Sequence, residues 1–250
     1  MNLNVALWTG PVVPLRTAER RRLRGADLLV LPELFDGGYR ALRAGGSPVT
    51  AHTPHVRFLR ELSSTERLTC VAGSAMLRRR GATTNTTLVF ARGRTVASYD
   101  KIHLFRPAGD HRFFVRGTRP VTFLLRAGRR RIRVGLMLCF DLRFPELARE
   151  LVRRGSEILV VPARWPRMRN EAWKTLLRAR AIENQVFVIG CNAAGREGGP
   201  SYVFGPDGRM LLAMVSRKAG GLKRCSCDLA DIGRVRRLFD ARREAVLLRR

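Results

Sequence analysis

Lysine is scarce in this chain. Of 48 basic residues only Lys101, Lys174, Lys218 and Lys223 are lysine, and the other 44 are arginine. A lysine that survives among so many arginines stands out, because a compact ammonium on a flexible stem does chemistry that a planar guanidinium cannot. Aromatic residues make up only 7% of a chain that is 45% hydrophobic, so aliphatic side chains must fill the core. No apolar run approaches the roughly 18 residues of a membrane-spanning helix, and no membrane partner is expected. The first residues, Met1-Asn2-Leu3-Asn4-Val5-Ala6-Leu7-Trp8, lack the basic start and long apolar stretch of a signal peptide and read as a strand. The expected location is the cytoplasm.

The cysteines are few and show no pairing pattern. Cys70, Cys139, Cys191, Cys225 and Cys227 have neither disulfide nor zinc spacing, and an odd count suggests free thiols. Cys225-x-Cys227 is read as a pair alternating out and in along a strand, a poor metal pair. His52-x-x-His55 has no cysteine or acidic cluster beside it. Neither a metal nor any other cofactor is expected.

Acidic residues number 20, so the formal net charge is +28. Such a balance ordinarily suggests nucleic acid or an anionic membrane. Here the arginines run along the whole chain. The densest clusters, Arg20–Arg22, Arg78–Arg80 and Arg129–Arg131, are placed at turns or helix edges. They read as a solvated surface with no specific nucleic-acid partner. Non-specific polyanion binding at low salt is the expected by-product.

At 250 residues the chain is read as one domain, 1–250. Strands are predicted over 4–8, 27–32, 69–77, 85–90, 95–100, 120–125, 131–139, 157–162, 186–192, 201–204, 209–214 and 222–228. Helices are predicted over 16–24, 56–67, 145–154, 169–184 and 231–243. Arg92-Gly93-Arg94 and Gly205-Pro206-Asp207-Gly208 are turn signals. Pro145 opens one helix and Gly155 closes it. Buried aliphatic strands alternating with helices argue for a layered α/β fold.

Three segments put chemistry at the ends of apolar strands, where the sites of layered α/β folds gather. They are Leu31-Pro32-Glu33-Leu34-Phe35, Tyr99-Asp100-Lys101-Ile102-His103-Leu104-Phe105 and Leu138-Cys139-Phe140-Asp141-Leu142-Arg143-Phe144-Pro145-Glu146. A carboxylate, an ammonium and a thiol so placed suggest a nucleophilic hydrolase.

In that order these segments resemble the motifs of the nitrilase, or carbon–nitrogen hydrolase, superfamily, whose active site is a Glu–Lys–Cys triad. Pro162-Ala163-Arg164-Trp165-Pro166 and Ala179-Arg180-Ala181-Ile182-Glu183-Asn184-Gln185 resemble its later segments. The likeness covers nearly the whole chain and is greatest to the small amidase branch, which includes the omega-amidases of 2-oxo acid amides.

The resemblance implies a four-layer α-β-β-α sandwich. It also implies a homodimer of eight layers formed through 145–154 and 169–184, with 231–250 crossing to the partner. The implied reaction converts a small linear, carboxylate-bearing amide to acid plus ammonia through a Cys139 thioester. Glu33 would be the general base, and Lys101 with the Phe140 N–H would stabilise the oxyanion. Lys101 is expected to lower the Cys139 pKa.

Many members of the superfamily carry a second glutamate after the lysine motif. The corresponding stretch here, Ala108-Gly109-Asp110-His111-Arg112, offers Asp110, one methylene shorter. Trp165 and Arg143 are candidates for the substrate pocket, and Arg164 is a candidate fork for a substrate carboxylate. Asp141 and Arg143 are also read as a structural ion pair or as bracing the turn, and His103 as hydrogen-bonding within the turn. An N-carbamoyl-amine hydrolase, a nitrilase, and a basic polyanion-binding protein on a retained hydrolase fold stay open as alternatives.

Overall fold

A computed structural model describes residues 1–10, 17–45, 48, 50, 53–79, 81–215 and 220–244. The strands are β1 (Asn2–Trp8), β2 (Leu28–Val30), β3 (Thr69–Val71), β4 (Ala75–Arg79), β5 (Ala82–Ala91), β6 (Arg94–Asp100), β7 (Thr122–Ala127), β8 (Arg130–Leu136), β9 (Ile158–Ala163), β10 (Phe187–Asn192), β11 (Ser201–Phe204), β12 (Met210–Met214) and β13 (Leu222–Asp228). The helices are α1 (Thr17–Leu23), α2 (Gly38–Arg43), α3 (Pro54–Thr65), α4 (Asp110–Phe113), α5 (Pro145–Arg153), α6 (Asn170–Asn184) and α7 (Ala230–Leu238).

The strands form two mixed sheets. The first runs β13-β1-β2-β3-β5-β4, with β6 also pairing β5. The second runs β12-β11-β10-β9-β8-β7. Strand alternation sorts the side chains into layers. Leu3, Val5, Leu7, Leu28 and Val30 of the first sheet share one core with Val134, Leu136, Ile158 and Val160 of the second. The alternate residues Ala6, Trp8, Leu29 and Leu31 pack with Leu23, Val56, Leu59 and Leu62 from the α1 and α3 side. On the far side, Leu147, Leu151, Trp173 and Leu177 of α5 and α6 join the second sheet. The layers are therefore α-β-β-α, as the resemblance implied.

Two corrections to the strand reading bear on function. The continuous strand over 69–77 is broken into β3 and β4. Gly73 takes φ 48°, and a Cβ there would lie 1.8 Å from the Pro32 carbonyl oxygen. The break lets Ser74 accept from Leu34 N through Oγ at 3.0 Å and from Phe35 N through its carbonyl at 2.9 Å. It thus cradles the loop that carries Glu33. The second correction concerns Cys225 and Cys227. Residues two apart share a strand face; Cys227 is buried and Cys225 half-buried, while Ser226 between them is exposed.

Helices α2 and α4, absent from the sequence reading, are short and follow the Glu33 and Lys101 segments. The last helix ends at Leu238, and residues 239–241 just beyond it are anchored to the same chain. Gln185 donates to the Phe239 carbonyl at 2.8 Å and accepts from Ala241 N at 3.1 Å. His52, Arg80 and the crossing segment from residue 245 onward lie outside the described residues.

Gly73→Ala is expected to cost about 1–3 kcal/mol through overpacking against the Pro32 main chain. Denaturant unfolding of the variant measures it, and an unchanged midpoint would contradict this account of the break.

Candidate active site

Glu33, Lys101, Asp110 and Cys139 come from four separate loops and meet at one place. Glu33 follows β2, and the next residue, Leu34, holds φ 46°, a positive value that few non-glycine residues adopt. Lys101 directly follows β6, and its N–H donates to the Asn85 carbonyl of β5 at 2.9 Å. Cys139 opens a turn of 3-10 helix after β8, with φ 49°. Asp110 opens α4.

The ammonium is the centre of the group. Lys101 Nζ donates to Glu33 Oε1 at 2.8 Å and to Asp110 Oδ2 at 2.9 Å, and all three side chains are fully buried. Asn85 Nδ2 donates to the same Glu33 oxygen at 3.0 Å, and Arg164 N donates to Oε2 at 3.1 Å. Asp110 Oδ2 also accepts from Phe105 N at 2.9 Å. The shorter carboxylate therefore still reaches Lys101, because α4 and the turn before it bring it in. Burial by itself would lower the Lys101 pKa, but the negative charge of Glu33 and its neighbours outweighs it. The net shift is upward, so the ammonium stays charged.

The thiol behaves differently from the expectation. Burial pushes the Cys139 pKa up, the Glu33 charge and hydrogen bond push it further, and Lys101 offsets only part. Cys139 is therefore held toward its neutral thiol form beside a carboxylate, and a thiolate there would need a base to form. Its Sγ lies 3.9 Å from the Arg164 carbonyl oxygen.

Asp141 fixes the cysteine turn to the lysine strand. Its buried carboxylate accepts from Tyr99 Oη at 2.6 Å, Leu138 N at 2.9 Å, and His103 N at 2.9 Å, with His103 Nδ1 at 2.8 Å. Turn bracing by Asp141 is thus visible, but its partner is His103, with no ion pair to Arg143. His103 reaches across to the cysteine turn and stacks on Phe144 at 3.7 Å between ring centroids.

A cavity of about 240 Å³ opens over Cys139. That is below the roughly 300 Å³ at which drug-sized pockets begin, so it suits a small ligand. Tyr39, Phe105, Phe140 and Trp165 form its apolar walls; Arg43, Arg143, Arg164, Arg169, Arg196 and Glu197 supply the charge. The Arg143 guanidinium lies 5.0 Å over the Trp165 ring and that of Arg169 lies 5.7 Å over Phe105. Neither has a carboxylate partner among the described residues. Arg164 lines the cavity too, but each of its three side-chain nitrogens is engaged by the protein. Nε donates to Glu33 O at 2.8 Å, Nη2 to Leu34 O at 2.8 Å and Nη1 to Glu197 Oε2 at 3.2 Å. Two of its N–H groups thus hold the Glu33 loop and one meets Glu197, so part of the fork expected for a substrate carboxylate is engaged within the protein. Among the described residues no cluster of three or more His, Cys, Asp or Glu could hold a metal ion.

Asn85, Tyr39, Phe105 and Glu197 were not marked in the sequence reading. Asn85 carries no local signal, since it meets Glu33 only through strand pairing. Tyr39 could have been found, because Gly37-Gly38 precedes it within a few residues of Glu33.

This chain belongs to the carbon–nitrogen hydrolase family, whose family model matches residues 15–237. It is 32% identical to omega-amidase YafV of Escherichia coli (strain K12), over 96% of this chain and 93% of that protein. It is also 32% identical to the 2-oxoglutaramate amidase of Bacillus subtilis (strain 168), over 84% of this chain and 82% of the relative. A CN-hydrolase superfamily protein from Xanthomonas campestris, solved with an arsenic adduct in its active site, superposes with a TM-score of 0.83 at 27% identity. That match covers 98% of this chain and 97% of the other.

Alkylation of Cys139 by iodoacetamide, followed on its peptide by mass spectrometry, is expected to rise steadily with pH up to about 9, the ordinary thiol value. A plateau with its inflection below neutral pH would mean a resting thiolate and contradict the raised pKa.

Proposed function

We propose that this chain is a thiol amidase that hydrolyses a small linear, carboxylate-bearing amide to acid and ammonia. The observation that carries the proposal is the buried Glu33–Lys101 pair at 2.8 Å beside a neutral Cys139 at the floor of a small cavity. In this reading Glu33 takes the Cys139 proton as sulfur attacks the amide carbon. The C=O becomes an oxyanion held by Lys101 and the Phe140 N–H. Glu33 then gives the proton to the departing nitrogen, ammonia leaves, and a thioester remains. Water activated by Glu33 hydrolyses it and restores the thiol. Asp110 positions Lys101.

Arg143 and Arg169, each over an aromatic ring and without a carboxylate partner among the described residues, support a substrate carboxylate in the cavity. The names omega-amidase and 2-oxoglutaramate amidase, borne by relatives at 32% identity, support the same substrate class. We further infer one domain over 1–250, on a core shared by both sheets. Five unpaired thiols support a cytoplasmic setting. Among the described residues no helix is long and apolar enough to cross a membrane. Exposed Ile182, Leu238 and Phe239, at 47%, 82% and 63%, support pairing with a second copy near the end of α6.

The test is ammonia release from 2-oxo acid amides, dicarboxylic monoamides, N-carbamoyl amino acids and nitriles, with wild type, Cys139→Ala and Lys101→Arg side by side. Release from the carboxylate-bearing amides is expected. It should be abolished in Cys139→Ala and fall by about 10²–10³-fold in Lys101→Arg, where a guanidinium does not fit the oxyanion position. Turnover confined to carbamoyl compounds or nitriles would replace the amidase reading, and turnover that survives Cys139→Ala would overturn it.

A further inference from the structure

Arg164 touches more of the site than any substrate contact requires. Its main-chain N–H donates to Glu33 Oε2 at 3.1 Å, while its carbonyl faces Cys139 Sγ at 3.9 Å. The backbone of one residue therefore lies between carboxylate and thiol. Its guanidinium then turns back to the loop that carries Glu33. Nε and Nη2 each donate at 2.8 Å, to the Glu33 and Leu34 carbonyls.

Those two carbonyls flank the positive-φ residue Leu34. A non-glycine residue held there persists only where its surroundings over-determine it. Leu34 N is held from one side by Ser74 Oγ at 3.0 Å, and the guanidinium closes the other side. Glu197 orients the guanidinium through Nη1 at 3.2 Å. The chain opposite is cut to admit this pair. A Cβ on Gly38 would fall 2.6 Å from both Arg164 Cζ and Glu197 Oε2. Arg164 follows β9 of the second sheet, whereas Glu33 follows β2 of the first, so the contacts staple one sheet to the other at the site.

We propose that Arg164 is a positioning residue: its guanidinium locks the Glu33–Leu34 turn so that the Glu33 carboxylate stays in reach of Cys139, with Glu197 aiming it. This rests on the amidase reading and deepens it. Arginine is required by shape. A lysine could still meet Glu197 with its single nitrogen, but it could not span the Glu33 and Leu34 carbonyls as well.

The experiment compares wild type, Arg164→Leu and Arg164→Lys on a neutral and an anionic amide of equal length, with the pH profile of Cys139 alkylation measured alongside. In both variants kcat should fall about ten- to a hundredfold on both amides, with KM within about threefold. Because Glu33 helps to hold the thiol neutral, its release should also move the alkylation profile to lower pH. A KM rise for the anionic amide alone, at unchanged kcat, would make Arg164 a substrate contact and overturn the proposal. Full rescue by lysine would do the same in favour of charge. A lowered melting temperature with normal kcat per folded molecule would reduce the residue to a structural one. If wild type turns over neither amide, the amidase reading fails, while the alkylation profile still decides whether Arg164 holds Glu33.

Discussion

One ammonium between two carboxylates organises this molecule. Removing an ion from water costs on the order of several kcal/mol after relaxation, so three fully buried charges persist only if each meets an opposite partner at short range. Lys101 satisfies Glu33 and Asp110 together. Asn85 and the Arg164 N–H also donate to the Glu33 oxygens, and the Phe105 N–H to Asp110 Oδ2. Loss of the ammonium would leave two carboxylates facing each other in a dry interior. Much of the surrounding architecture follows from that constraint: the break at Gly73, the positive φ of Leu34, and the short helix that delivers Asp110.

The same cluster sets the state of the nucleophile. A lysine near a cysteine ordinarily favours the thiolate, and that was the expectation from sequence. Here Lys101 does pull the Cys139 pKa down, but it is outweighed. Burial and the Glu33 charge prevail, and the thiol waits protonated. In the proposed reaction, proton transfer to Glu33 then accompanies attack, so the placing of Glu33 matters more than a lowered thiol pKa.

Legibility from sequence followed the distance over which each feature is determined. Glu33, Lys101 and Cys139 were readable because each sits in a local motif at the end of an apolar strand. A layered α/β fold was readable because strand and helix patterns are local, whereas the four α-β-β-α layers came only through the family resemblance. Asp110 was readable by its place after the lysine segment, and its contact with Lys101 was not. Arg164 was marked by its place beside Trp165, but the carbonyls it meets on the other sheet are not written in any short segment. Asn85 is hidden for the same reason, and the strand break at Gly73 depends on the Pro32 carbonyl, more than 40 residues earlier in the chain. The protonation state of Cys139 is a property of burial by both sheets, which no short segment reports.

The central claim is that Cys139 becomes acylated within this buried cluster. It is tested most directly by mixing the protein with a small carboxylate-bearing amide, quenching in acid within milliseconds, and weighing the intact chain and its Cys139 peptide. The account expects a transient mass gain equal to the acyl group, confined to Cys139 and decaying as acid is released. Amide turnover with no adduct on Cys139 at any time, or with an adduct on another residue, would contradict it.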